Sequence, residues 1–158
     1  MTNPKTKEGM RQMNRIILPM GKSAPWLLGL ILRIMRSSLS NPKGMERMLN
    51  DLPDVDKAVF TGDKVESLMK AGQESFYQGV QGPKDEGRIY AESWGFDLQE
   101  IAMPVSIWQG SLDVNVPLSN GQILADEIPH ANAHFIDGEG HISLIVNRNE
   151  AILKDLLS

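Results

Sequence analysis

The strongest chemical signal in this chain of 158 residues comes from a carboxylate at Asp113 and an imidazole at His141. Asp113 follows Val105, Ile107 and Trp108, a β-branched and aromatic run bounded by Pro104 and Gly110 that reads as a buried strand. A carboxylate just past the carboxyl end of such a strand lies where open α/β sheets keep ligands and catalytic groups. His141 follows a second apolar run, Ala133-His134-Phe135-Ile136-Asp137, and Gly138-Glu139-Gly140 places it on a glycine-rich loop. Flanking glycines let such a ring reach into a cleft without backbone hindrance. The chemistry would be general-base catalysis. A serine hydroxyl is a poor nucleophile until a neutral imidazole takes its proton, and a buried carboxylate then fixes the tautomer and steadies the imidazolium. Taken singly, Asp113 also suits an ordinary turn beside Asn115, and a lone loop histidine is usually just solvated. Their order along the chain is strand, Asp, helix, strand, His, helix.

Other candidates are weaker. Asp137 and Glu139 are rival carboxylates beside His141, one ending a strand and one inside the glycine loop. His130 and His134 are four apart, the spacing that brings two imidazoles together on a helix. Pro129 precedes them and the second falls in a strand, where four residues span about 13 Å, too far for one metal ion. No metal or cofactor is therefore expected. With no cysteine there is no disulfide, thiolate nucleophile or Cys-ligated zinc. A net charge of -4 gives nucleic-acid binding no support.

The stretch Trp108-Gln109-Gly110 with Asp113 and Val116-Pro117, followed by Gly138-Glu139-Gly140-His141, resembles the C-terminal end of the α/β-hydrolase family, whose triad runs nucleophile, acid, histidine. Trp94-Gly95-Phe96-Asp97 and Ile101 look like the segment that leads from the lid of these enzymes back into the sheet. The resemblance implies that Asp113 is the triad acid and His141 the general base. It further implies hydrolysis of a small ester or related substrate through an acyl-enzyme. No Gly-x-Ser-x-Gly elbow occurs in these residues; the nearest string, Gly21-Lys22-Ser23-Ala24-Pro25, lacks the closing glycine and a preceding strand. The nucleophile is thus expected to be missing from this chain, which should be inactive in isolation.

The elements that must position these residues fall into two regions. Residues 1–93 read as a helical lid. An amphipathic helix is expected within Met1 to Lys22 and a more apolar one opens at Pro25 with Trp26, Leu27, Leu30, Ile31 and Ile34. A short helix follows over Gly44 to Leu49 with Met45 and Met48, then a turn at Asp51-Leu52-Pro53-Asp54. A helix from Gly62-Asp63 carries Val65, Leu68, Met69 and Phe76 and closes near Gly79, and another starts at Pro83. Residues 94–158 alternate strand and helix. Leu118, Leu124 and Ile128 form one helical face ended by Pro129, and Asn147 with Glu150 forms a capping-box pattern for the last helix. The fold class is α/β: a helical lid followed by the last strand-helix units of an incomplete doubly wound sheet. Basic residues before Trp26 to Leu32 resemble a targeting signal, but Arg33 interrupts a run too short to span a bilayer. A cytoplasmic protein without membrane contact is expected. Its partners would be a small-molecule substrate, once completed by the missing half, and a chain carrying that half or a second copy. A non-catalytic interaction module or a truncated, inactive fragment is the rival reading.

Overall fold

A computed structural model describes residues 7–39 and 41–157. It is mostly helical, with one two-stranded parallel sheet. Two compact units are present. Met1 to Thr6, the start of the expected first helix, and the side chains of Met45 and Leu68 lie outside the described residues.

The helical unit comprises α1 (Gln12–Ser23), α2 (Pro25–Leu39), α3 (Pro42–Asn50), α5 (Asp63–Ser75) and α6 (Gln81–Ala91). Pro25 opens α2, as its fixed φ suits a first turn. At α3 the Asn41 side chain accepts from the Lys43 N–H at 3.0 Å, with Pro42 next to it. Leu28, Leu32, Leu39 and Phe76 form the core, with Ile17, Met20, Met35 and Met69 packed against it. α1 and α6 cross at two glycines, where a Cβ on Gly21 would overlap the Gly87 carbonyl. The apolar character of α2 is not fully buried, since Trp26 and Ile34 are exposed.

The second unit gathers residues 7–11 and 53–59 with everything described from Gly95 onward. These two short segments pack across the sequence boundary expected at residue 93: α4 (Asp54–Val59) docks on the C-terminal helix, and the Arg11 N–H donates to Val114 O at 2.8 Å. The turn expected at Asp51–Asp54 therefore leads straight into a helix. β1 (Val105–Gly110) and β2 (Ala131–Ile136) are parallel, paired from Val105 with Ala131 to Gly110 with Ile136, and α7 (Leu118–Glu127) connects them. Successive strand residues point to opposite faces. Gln109 meets Gly121 of α7, whereas Trp108 bonds Asp155 of α8 (His141–Leu156). The strands thus have a helix on each face, as a parallel sheet requires. α8 starts at His141 and runs through Asn147, so the expected cap at Asn147 is a mid-helix residue. Its amide instead donates to the buried Glu139 carboxylate at 3.1 Å. No helix among the described residues is long and apolar enough to cross a membrane.

Candidate functional site

β1 ends where its backbone must pass the chain leaving β2. A Cβ on Gly110 would strike the Glu139 carbonyl, so glycine is required for the two strand ends to approach. Beyond that point the loops are tied together. The Ser111 N–H donates to Ile136 O at 3.0 Å and the Leu112 N–H to Glu139 O at 2.8 Å. The Ser111 hydroxyl donates to Asp137 Oδ1 and accepts from the Gly138 N–H, both at 2.9 Å. Gly138 adopts φ +76°, a left-handed conformation that costs a glycine little.

This frame holds Asp113 with its side chain 5% exposed. Oδ1 accepts from the N–H groups of Asn115 and Val116, each at 2.8 Å. Oδ2 accepts from Gln109 Nε2 at 3.1 Å and meets His141 Nδ1 at 2.8 Å. Gln109 is fixed in turn by its second bond, to Val116 O at 2.8 Å. Burial pushes the Asp113 carboxyl upward. The His141 hydrogen bond, the Val116 N–H, the imidazole charge and the Asn115 N–H outweigh it and hold the group below its ordinary 3.8. Asp113 is an anion with a fixed orientation. The turn reading of this residue and the chemical one describe the same geometry, since one oxygen closes the turn and the other faces the ring.

His141 is the first residue of α8 and not a loop residue. Its hydrogen bond to Asp113 raises the imidazole above its ordinary 6.5. Burial opposes this, while the charges of Asp113 and Asp56 add to it. With Nδ1 committed to Asp113, Nε2 is the nitrogen left to exchange a proton, on a side chain 42% exposed. A shallow hollow of ≈ 430 Å³ adjoins the acid, lined by Asp113, Leu112, Val114 and Pro117 among others; His141 is not among its walls.

The rival carboxylates have other duties. Asp137 takes the Ser111 hydroxyl, and Glu139 is paired with Arg148 Nε at 3.3 Å and with Asn147. Ser111 beside Asp113, Ser143 just after His141 and Ser23 of the elbow-like string are likewise engaged. Ser111 ties the two loops, Ser143 Oγ accepts from the Gly140 N–H at 2.8 Å, and Ser23 Oγ donates to Pro19 O at 2.9 Å within its own helix. His134 stacks on Trp108 with ring centroids 4.2 Å apart and lies 3.6 Å from Asp155, while His130 gives its carbonyl to the Val105 N–H. Among the described residues no group of three or more His, Cys, Asp or Glu side chains is placed to hold a metal ion.

Two contributors carry no chemical signal of their own in the sequence. Gln109 is an alternating strand residue whose amide happens to face the acid. Asp56 is wholly buried and bonds the first turn of α8 from 85 residues away. The one hint of it is Gly140, a helix N-cap that has no side chain of its own to cap with. Comparison of the chain with protein-family models, curated proteins and solved structures gives no match.

Proposed function

We propose that the C-terminal unit is the acid–base portion of an α/β-hydrolase-like enzyme acting on a small ester or related substrate. The reading is carried by the 2.8 Å contact between His141 Nδ1 and Asp113 Oδ2, on a carboxylate already oriented by two backbone N–H groups. In this reading Nε2 takes the proton of a hydroxyl as its oxygen adds to the ester carbonyl. The same proton then passes to the leaving alkoxide, which departs as an alcohol and leaves an acyl ester. Water, activated by Nε2 in the same way, releases the acid and restores the hydroxyl. Asp113 stays ionised throughout, holding Nδ1–H and stabilising the imidazolium. The hydroxyl and the oxyanion donors would come from a strand, Gly-x-Ser-x-Gly and helix that these 158 residues do not contain. In this reading the two parallel strands and their helices would be the last strand-helix units of a larger doubly wound sheet, with the helical unit as lid.

The acid–base reading is tested by carbethoxylation of the whole chain with diethyl pyrocarbonate, mapped by mass spectrometry. The reagent attacks neutral imidazole, so the His141 rate should rise with pH around a midpoint above 6.5. Asp113→Asn should bring that midpoint down. A His141 that does not react, or a midpoint indifferent to residue 113, refutes the pair. Ester hydrolysis by this chain alone should not exceed that of imidazole, and serine labelling by a fluorophosphonate would show that a nucleophile is present after all.

The rival reading, an interaction module without chemistry, has its own observation. Leu153, Leu156 and Leu157 at the end of α8 and Phe135 of β2 are exposed, and each strand is paired on one edge. Both readings call for a partner at the sheet, and only the first gives His141 a task.

A further inference from the structure

We propose that Asp56 is a positioning residue for His141: its buried carboxylate caps α8 from a distant segment and so fixes the backbone from which the imidazole reaches Asp113. The proposal rests on the acid–base reading above and extends it to a residue which that chemistry does not itself use.

The need arises in the chain itself. The first N–H groups of a helix have no partner within it, and the residue that ordinarily supplies one, the N-cap, is here Gly140. Ser143 turns its hydroxyl to the Gly140 N–H, which leaves the next three donors unserved. Asp56 serves all three. Its Oδ2 accepts from the His141 N–H at 3.1 Å, and its Oδ1 from those of Ile142 and Ser143 at 2.9 Å each. The side chain of Asp56 has no solvent exposure, and it occupies the space that a Cβ on residue 140 would fill. Glycine at 140 and aspartate at 56 are thus two halves of one arrangement.

The charge matters as well as the bonds. An imidazole at the first position of a helix sits in the positive potential of that terminus, which favours its neutral form. An anion on the same N–H groups offsets that potential and helps His141 to hold a proton during the reaction. Asp113 after β1 and Asp56 on α4 are the charges that act on the ring; Glu139, on the loop between, is balanced by Arg148.

NMR titration of the His141 ring in the whole chain tests this. Asp56→Asn keeps shape and one acceptor but removes the charge, and should lower the His141 midpoint by about half a unit to one unit. Asp56→Glu keeps the charge and should titrate closer to the parent than Asp56→Asn. Should Asp56→Asn not fold, Asp56→Ser, a neutral cap, should give the same downward shift. An unmoved midpoint in the neutral variants, or a fall in Asp56→Glu as large as in Asp56→Asn, overturns the proposal. Failure of the acid–base reading looks different: Asp113→Asn would then leave His141 unmoved while the Asp56 variants still shift it.

Discussion

Replacing Asp113 by asparagine isolates what its second oxygen does. The retained Oδ1 still accepts from Asn115 and Val116, so the turn persists. The new NH2 group replaces Oδ2, where it confronts Gln109 Nε2 and His141 Nδ1, both donors in the parent. The ring can adapt by moving its proton to Nε2 and accepting at Nδ1. Gln109 can fall back on Val116 O. The loss is one charge-assisted bond and part of a second in a nearly buried site, about 2 kcal/mol. A urea titration should show it as a lower midpoint with unchanged slope. The ring should change more. Its hydrogen bond to Asp113 is the largest influence holding the imidazole up and burial opposes it, so the variant should titrate well below the parent. It should also expose the wrong nitrogen for base chemistry, since Nε2 would now carry the proton. The reasoning fails if stability falls by the expected amount while the His141 titration stays where it was, for the contact would then be structural only.

Gly110→Ala should destabilise the chain by about 1–3 kcal/mol, seen in thermal melts, because the methyl meets the rigid Glu139 carbonyl. Trp108→Phe keeps a ring against His134 but loses the bond to Asp155 at 3.0 Å; the melt should fall less than for Gly110→Ala. The acid–base pair also predicts the form of the stability–pH curve. Asp113, held low, contributes stability that is present above 3.8 and lost as pH falls through its folded value. His141, held high, contributes stability that is full below 6.5 and lost as pH rises through its folded value. The pair should therefore add most between 3.8 and 6.5, and a parent-minus-Asp113→Asn difference curve that is flat across both flanks would contradict it. Sedimentation should show self-association through the strand edges and exposed leucines; a dilute monomer with well-protected strand amides would refute that.

Much of the site was legible because its signals are local. Val105 to Trp108 announce a strand by their side chains alone, and Asp113 and His141 stand out by their places after the two strands. α2 was legible from Pro25 and its apolar spacing. What the sequence hides is what depends on distant partners. Asp51-Leu52-Pro53-Asp54 has turn composition, yet Pro53 leads into α4 because that helix is held by its contact with α8. Asn147 and Glu150 imitate a cap so well that the true start of α8 is obscured. Asn147 is free to serve Glu139 because the cap has come from Asp56 instead. Ser111 stands two residues before Asp113, yet nothing local shows that its hydroxyl is already committed to tying two loops together.

The remote cap on α8 also bears on how the chain folds. The first turn of a helix is its costliest part, and here its stabilising anion lies 85 residues upstream. Closing a loop of that length costs about 4 kcal/mol of chain entropy before the contact gives anything back. The α8 terminus should therefore form late, after the segment between α4 and β1 has become compact. Since His141 is the first residue of that terminus, a partly folded chain would have its carboxylate turn at Asp113 without an ordered base beside it. Assembly of the pair would then report a late step in the C-terminal unit, because the interaction that orders His141 also closes a loop of 85 residues.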